Sequence, residues 1–160
     1  MKKKTQEKSI ILDEKDKEIL NILQLNGREK LTSIAKKVGL SIDSVNNRIK
    51  KMLENHVFYP GIFVVPSTVG YPLTASVYIK LHNITDEEFD KFVSYLKNHP
   101  RVTSLISVMG DYDIICVLMT RNTNEMEEIS RKIRLEFSNL IFDWKALFVV
   151  KVHKFEYYQL

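Results

Sequence analysis

The chain has 160 residues, of which 44% are hydrophobic and 28% charged. That is enough apolar material for one domain or two small ones, and too much for a disordered chain. The net charge of +4 is unevenly spread: residues 1–60 hold 13 Lys/Arg against 8 Asp/Glu, and residues 61–160 hold 11 against 12. A polyanion is expected to meet the first part, although Lys2, Lys3 and Lys4 of the N-terminal tail supply some of its excess.

Cys116 is the only cysteine, which excludes an internal disulfide and a cysteine-based zinc cluster. It sits in an apolar run and reads as a buried structural thiol rather than a nucleophile. No apolar h-region precedes Asp13, and no apolar run approaches the roughly 20 residues of a membrane span. A cytoplasmic protein with no membrane partner and no cofactor is therefore expected.

In chain order, a basic tail (residues 1–12) ends at Ile10-Ile11-Leu12. Asp13 reads as an N-cap, with Glu14 and Asp16 in the first turn, where the helix dipole favours acids. Ile19, Leu20, Ile22 and Leu23 carry helical spacing to about Leu25, and Asn26-Gly27 ends that helix. A short helix follows over Leu31–Val38, closed by Gly39. Ser41 caps a third helix that runs to about Asn55, with Ile42, Val45, Ile49 and Met52 or Leu53 on its apolar side. Residues 57–72 hold Pro60, Pro66, Pro72, Gly61 and Gly70, and read as a wing or hinge.

From Leu73 the pattern is β-α-β-β-α-β. Leu73, Ala75, Val77, Ile79 and Leu81 alternate with polar residues at strand period. Thr85 and Glu88 have capping-box spacing, and Phe89, Phe92, Val93 and Leu96 line the helix they open. Strands are predicted at about 102–109 and 113–120, joined by Gly110-Asp111-Tyr112. A helix capped by Asn122 or Thr123 carries Met126, Ile129, Ile133 and Phe137, and a last strand is predicted at about 145–153.

The predicted fold is α+β: a winged helix-turn-helix at residues 13–59, a hinge at 60–72, and a ferredoxin-like βαββαβ domain at 73–155. Both 114–119 and 146–150 are apolar at every second position on both sides. Two helices cover one face of the sheet, so the second face is expected to meet another copy of the chain or, alternatively, the N-terminal helices.

The functional pattern lies in Leu31–Met52. Ala35 falls where two helices touch, Gly39 in the turn between them, and Val45 where the second packs back on the first. These are helix-turn-helix offsets, though ordinary helical hairpins also match them. Away from the Val45/Ile49 stripe stand Asp43, Ser44, Asn46, Asn47, Arg48, Lys50 and Lys51, after the capping Ser41. Asn suits adenine, Arg suits guanine, Ser suits base or phosphate, and Lys suits phosphate. A merely solvated helix face is the alternative, but Ser and Asn are poor helix formers and such a face more often carries Glu, Lys or Gln.

Taken together, the chain resembles the Lrp/AsnC family of leucine-responsive, or feast/famine, regulators. The resemblance runs from Leu12 to Lys154. It rests on Leu12-Asp13 with Ile19-Leu20, on 34–41 leading into Val45 and Arg48–Lys51, on 70–75, on His99-Pro100-Arg101-Val102, and on Met109-Gly110-Asp111-Tyr112-Asp113. It implies double-stranded DNA as partner, pseudo-palindromic sites read by a homodimer, assembly as far as an octamer, and an amino-acid effector. Carried over, Gly110, Asp111, Tyr112 and Asp113 become the effector candidates. Physically, a glycine turn exposes backbone groups, and carboxylates pair with an ammonium. Read from the residues alone, the same four make an ordinary strand-to-strand turn.

Departures from the family pattern are His56 and Leu140 where glycine is usual, Ala146 where a threonine is common, and Trp144 at a small or polar position. An indole and a lost hydroxyl would reshape or close an amino-acid pocket. Two other classes fit the architecture less well. A haem-pathway decarboxylase needs histidines around a tetrapyrrole, whereas His56, His82, His99 and His153 are scattered without ligand spacing. A helper that joins relatives without binding DNA leaves the polar side of the third helix unexplained.

Overall fold

The computed structural model describes residues 11–160; the lysines of the tail and Ile10 lie outside the described residues. Helix α1 (Glu14–Leu25) starts at Asp13, whose carboxylate accepts the Asp16 N–H at 2.8 Å, while Asp16 accepts the Asp13 N–H at 3.3 Å. This reciprocal box satisfies two of the orphan donors at a helix start. Helix α2 (Leu31–Val38) ends on Gly39 in the left-handed region, φ +69°. Helix α3 (Ile42–Glu54) is capped by the Ser41 hydroxyl, which accepts the Ser44 N–H.

The three helices bury Ile19, Leu20, Ile34, Ala35, Val38, Val45 and Met52 as one core, with Ile49, Val57 and Phe58 packed against it. Ile42 departs from the expected apolar side: at the first position of α3 it is 46% exposed. Residues 57–65 form no strand, so the wing expected there has no hairpin within the chain. A short 3₁₀ turn (Pro66–Val69) follows.

The second unit holds β1 (Leu73–Leu81), α4 (Asp86–Asn98), β2 (Val102–Ser107), β3 (Ile114–Thr120), α5 (Thr123–Glu136) and β4 (Ile141–Phe148). The sheet order is β2-β3-β1-β4 with every neighbouring pair antiparallel, the ferredoxin-like arrangement. Ala75, Val77, Ile79 and Leu81 of β1 and Ile114, Cys116 and Leu118 of β3 pack with Phe92, Leu96, Met126 and Ile133, which places both helices on one face. Burial pushes the Cys116 thiol up to about 12, which keeps it protonated and inert.

One expectation about this sheet changes. The last strand begins at Ile141 and ends at Phe148, rather than spanning 145–153, because it pairs with β1 from Leu81↔Ile141 to Ala75↔Phe148. The second face is mixed. The central strand β1 presents Thr74, Ser76, Tyr78 and Lys80 there, beside Ile115, Val117 and Met119 of β3, with Ile106 and Leu147 exposed on the outer strands.

The chain divides into two compact units. One comprises the described residues up to Phe63 together with Lys154–Leu160; the other is Val64–His153. Lys154–Leu160 thus group with the helical unit, and of these the sequence boundaries had assigned only Lys154 and Phe155, to the sheet.

Candidate functional site

The polar side of α3 lies open. Ser41, Asp43, Asn46, Asn47, Lys50 and Lys51 are exposed and Ser44 is half-buried, while Val45 and Met52 anchor the opposite side. The chain folds this way because the apolar residues recur at helical spacing, so the stripe that packs on α1 and α2 leaves the intervening residues facing out. Ser44 contributes its N–H to the Ser41 cap, which places its own side chain at the start of the exposed side.

Ser41 caps its own helix and Lys50 lies 4.0 Å from Glu54 on α3, whereas Arg48 reaches another helix. Its Nη1 donates to Asp13 Oδ2 and to Asp16 Oδ1, both at 2.7 Å. These hydrogen bonds, with Asp13 first, hold the guanidinium above its ordinary value. The Asp16 N–H, and after it Arg48, hold the Asp13 carboxyl below its own. Arg48 therefore ties α3 to the capping box of α1. Sequence reading recognised Asp13 and Asp16 as helix-start residues but had no signal that an arginine 35 and 32 positions onward would share them.

Helix α3 ends in a Schellman turn. His56 adopts φ +57°, its N–H donates to Leu53 O, and the Val57 N–H donates to Met52 O at 2.9 Å. A histidine occupies the left-handed position that glycine fills without strain. Its ring lies 5.9 Å from that of Tyr59 in a stacked arrangement.

In the second unit, the turn from Gly110 to Asp113 is tied to β1. Asp113 Oδ2 accepts the Leu81 N–H at 2.8 Å, and its Oδ1 lies 3.3 Å from Lys80 Nζ. Lys80 also reaches the Gly110 carbonyl at 3.4 Å, and Gly110 itself has φ +144°. The Tyr112 ring lies 5.4 Å from Tyr78. Asp111 is exposed and makes no hydrogen bond among the described residues. Of the four candidates, Asp113 is thus committed to holding the turn.

The departures named above do not gather at that turn. Trp144 and Ala146 pair with Ile79 and Val77 and so share the helix-covered face, whereas Tyr112 and Asp113 engage Tyr78 and Lys80 on the other face. Trp144 packs against the core, and Leu140 is buried in it with its carbonyl accepting the His82 N–H. Within one chain, the indole therefore does not block the Gly110–Asp113 turn.

Sequence reading also missed a charged cluster on this unit. Arg101 Nε donates to Glu125 Oε1 at 2.9 Å and its guanidinium lies 4.3 Å from the Tyr71 ring centre. Arg121 grips the other Glu125 oxygen through both its backbone N–H and its Nε. Arg121 and then Arg101 hold the Glu125 carboxyl down at about 2. Arg121 and Glu125 are four residues apart and so form a local pair, whereas Arg101 joins from 24 positions away and leaves no local pattern in the chain.

Residues 12–53 match the AsnC-type helix-turn-helix domain, and residues 74–155 match the Lrp/AsnC ligand binding domain. The chain belongs to the Lrp/AsnC family. It is an Lrp/AsnC-type transcriptional regulator with a helix-turn-helix domain and a ligand-binding domain. The HTH-type transcriptional regulator FL11 of Pyrococcus furiosus is 32% identical over 117 residues, covering 72% of this chain and 76% of that protein. An AsnC family transcriptional regulator from Agrobacterium tumefaciens superposes with a TM-score of 0.82 at 25% identity, over 90% of this chain and 94% of that one. AsnC of Escherichia coli shares the fold, with a TM-score of 0.81 at 21% identity over 94% of this chain and all of that one. So does a transcriptional regulator of Neisseria meningitidis in complex with L-Met, with a TM-score of 0.82 at 22% identity over 91% of this chain and 94% of that one. No helix of the described residues is long and apolar enough to cross a membrane.

Proposed function

We propose that this regulator binds double-stranded operator DNA through the exposed side of α3. The observation that carries the reading is the division of that helix: Val45 and Met52 hold it to the core, while Asn46, Asn47, Lys50 and Lys51 face outward together. A helix so presented fits a major groove, with Asn46 and Asn47 at base edges, Lys50 and Lys51 at phosphates, and Ser41, Asp43 and Ser44 at the end that enters first. Arg48 serves by holding α3 to α1, and supplies a base contact only by leaving Asp13 and Asp16.

The DNA-reading form is a homodimer, with octamers as a further assembly. Ile62 and Phe63, 80% and 83% exposed, and Ile106 and Leu147 on the open side of the sheet are apolar surfaces that a second copy would cover. In the same reading an amino acid is the effector, met by the backbone at Gly110 and by Asp111 and Tyr112, with Asp113 shaping the turn. The ligand-binding domain match and the L-Met complex of the Neisseria meningitidis neighbour support that ligand class.

The test is selection of bound sequences from random duplex DNA, followed by a salt titration on the winner. A palindromic consensus whose affinity falls steeply with salt is the expected result. Recovery of no consensus, with affinity indifferent to salt, removes the reading.

A further inference from the structure

The C-terminal residues of the chain meet α1 through an unusual set of contacts. The Gln24 carboxamide donates to the Tyr158 carbonyl at 2.9 Å and accepts the Tyr158 N–H at 2.9 Å. One turn back, the Asn21 carboxamide donates to the Leu160 carbonyl at 3.3 Å and accepts the Leu160 N–H at 3.5 Å. A carboxamide offers one acceptor and two donors, so each can pair with both backbone groups of one residue, as a neighbouring strand would. Asn21 and Gln24 share a helix side at i,i+3 spacing, and Tyr158 and Leu160 point the same backbone groups the same way at i,i+2 spacing. The Phe155 ring lies 5.8 Å from Phe63 in the same unit.

We infer that Lys154–Leu160 is a built-in peptide ligand of α1, a latch that gives the helix-turn-helix unit a second covalent restraint. The chain passes between the two units at Phe63/Val64 and again at His153/Lys154. Only residues 149–153 separate the end of β4 from the latch. Latch and α1 belong to one chain, so their pairing is intramolecular and does not have to offset the cost of bringing two molecules together. The latch links a strand of the ligand-binding domain to the helix that also holds Arg48, which makes it a route by which that domain biases α3. The consequence for DNA rests on the reading of α3 given above; the latch itself does not.

The recognition uses backbone groups, so it predicts an uncommon mutational pattern. Tyr158→Ala leaves the latch in place, whereas Tyr158→Pro, which deletes the N–H, releases it. Asn21→Ala combined with Gln24→Ala releases it from the other side.

The test uses the full chain. Amide exchange at Tyr158 is expected to be slowed at least tenfold relative to unprotected peptide, and to lose that protection in the Asn21→Ala/Gln24→Ala variant while the β1 and β3 amides keep theirs. A Gln24→Cys/Tyr158→Cys variant, with Cys116 replaced by Ala, should oxidise to a cross-link within one chain. Unprotected exchange at Tyr158 in the parent protein, or a cross-link formed only between chains, overturns the latch. On the selected duplex, the Tyr158→Pro variant should change affinity at least threefold and Tyr158→Ala should not; equal affinities for all three proteins overturn the coupling. A parent protein that binds no duplex removes the DNA reading, and the exchange and cross-link results still decide the latch.

Discussion

Arg48 Nη1 lies 2.7 Å from Asp16 Oδ1, a contact between the third helix and the first turn of the first helix. The Asp16 side chain is 18% exposed, which shields the pair more than a surface bridge. If the pair orients α3, Asp16→Asn should weaken duplex binding by roughly three- to tenfold, about 1 kcal/mol. Simple charge counting gives the opposite sign, because losing a carboxylate makes the surface more positive. A fluorescence-anisotropy titration of Asp16→Asn and Arg48→Ala decides between them; tighter binding by Asp16→Asn refutes the orienting role.

The two kinds of side chain on α3 should separate in their readout. Asn46→Ala or Asn47→Ala should cost about 1–3 kcal/mol on the selected site and relax preference at one base pair. Lys50→Ala and Lys51→Ala should weaken all sequences alike and each reduce the salt slope by about 1. Affinities across a panel of single-base variants at several salt concentrations check both.

Protonation of Glu125 should be visible in the acid range. Its folded carboxyl is held at about 2 against 4.5 for the free group. A depressed value means that its contribution to stability is full above about pH 4.5 and is lost progressively as the pH falls toward 2. Melting temperature should fall more steeply over that window in the parent protein than in Glu125→Gln. Parallel profiles for the two proteins would remove the Arg101–Glu125–Arg121 cluster as a source of stability.

His56 tests backbone strain directly. At φ +57° a Cβ is disfavoured, so His56→Gly should be more stable than His56→Ala by about 1 kcal/mol. Comparing glycine with alanine cancels the lost stacking on Tyr59, since neither has the ring. Urea unfolding of the two variants supplies the number, and equal midpoints contradict a strained turn.

The turn proposed to meet the effector predicts a split between its two aspartates. Asp113→Ala should lower the melting temperature without ligand, because it strands the Leu81 N–H and Lys80. Asp111→Ala should leave that temperature unchanged and abolish the shift produced by a binding amino acid. A thermal-shift screen of the common amino acids reads both; a ligand shift that survives Asp111→Ala moves the effector away from this residue.

Much of this architecture is legible in the chain because its signals are local in sequence. Ala35, Gly39 and Val45 stand at fixed offsets around one tight turn, so the packing of two consecutive helices shows as a short pattern, and the alternation from Leu73 to Leu81 needs only the two-residue period of a strand. Asp13, Ser41 and Thr85 announce helix starts because a capping side chain bonds to an N–H three residues on. The family resemblance then made the turn at Gly110–Asp113 an effector candidate, which the residues alone left as an ordinary connection.

What the chain by itself determined is the order of the α-helices and β-strands, the side each helix buries apart from Ile42, and the polar face of α3. Tertiary structure alone decided who meets whom across long separations: Arg48 with Asp13 and Asp16, Arg101 with Glu125, Gln24 with Tyr158. It also decided the bounds of β4, which follow its pairing with β1 rather than its own apolar run. The reason is physical. Periodicity and caps are set by bonds within a few residues, whereas an ion pair or an amide ladder forms only once two packed surfaces have fixed the distance between side chains that share no sequence neighbourhood.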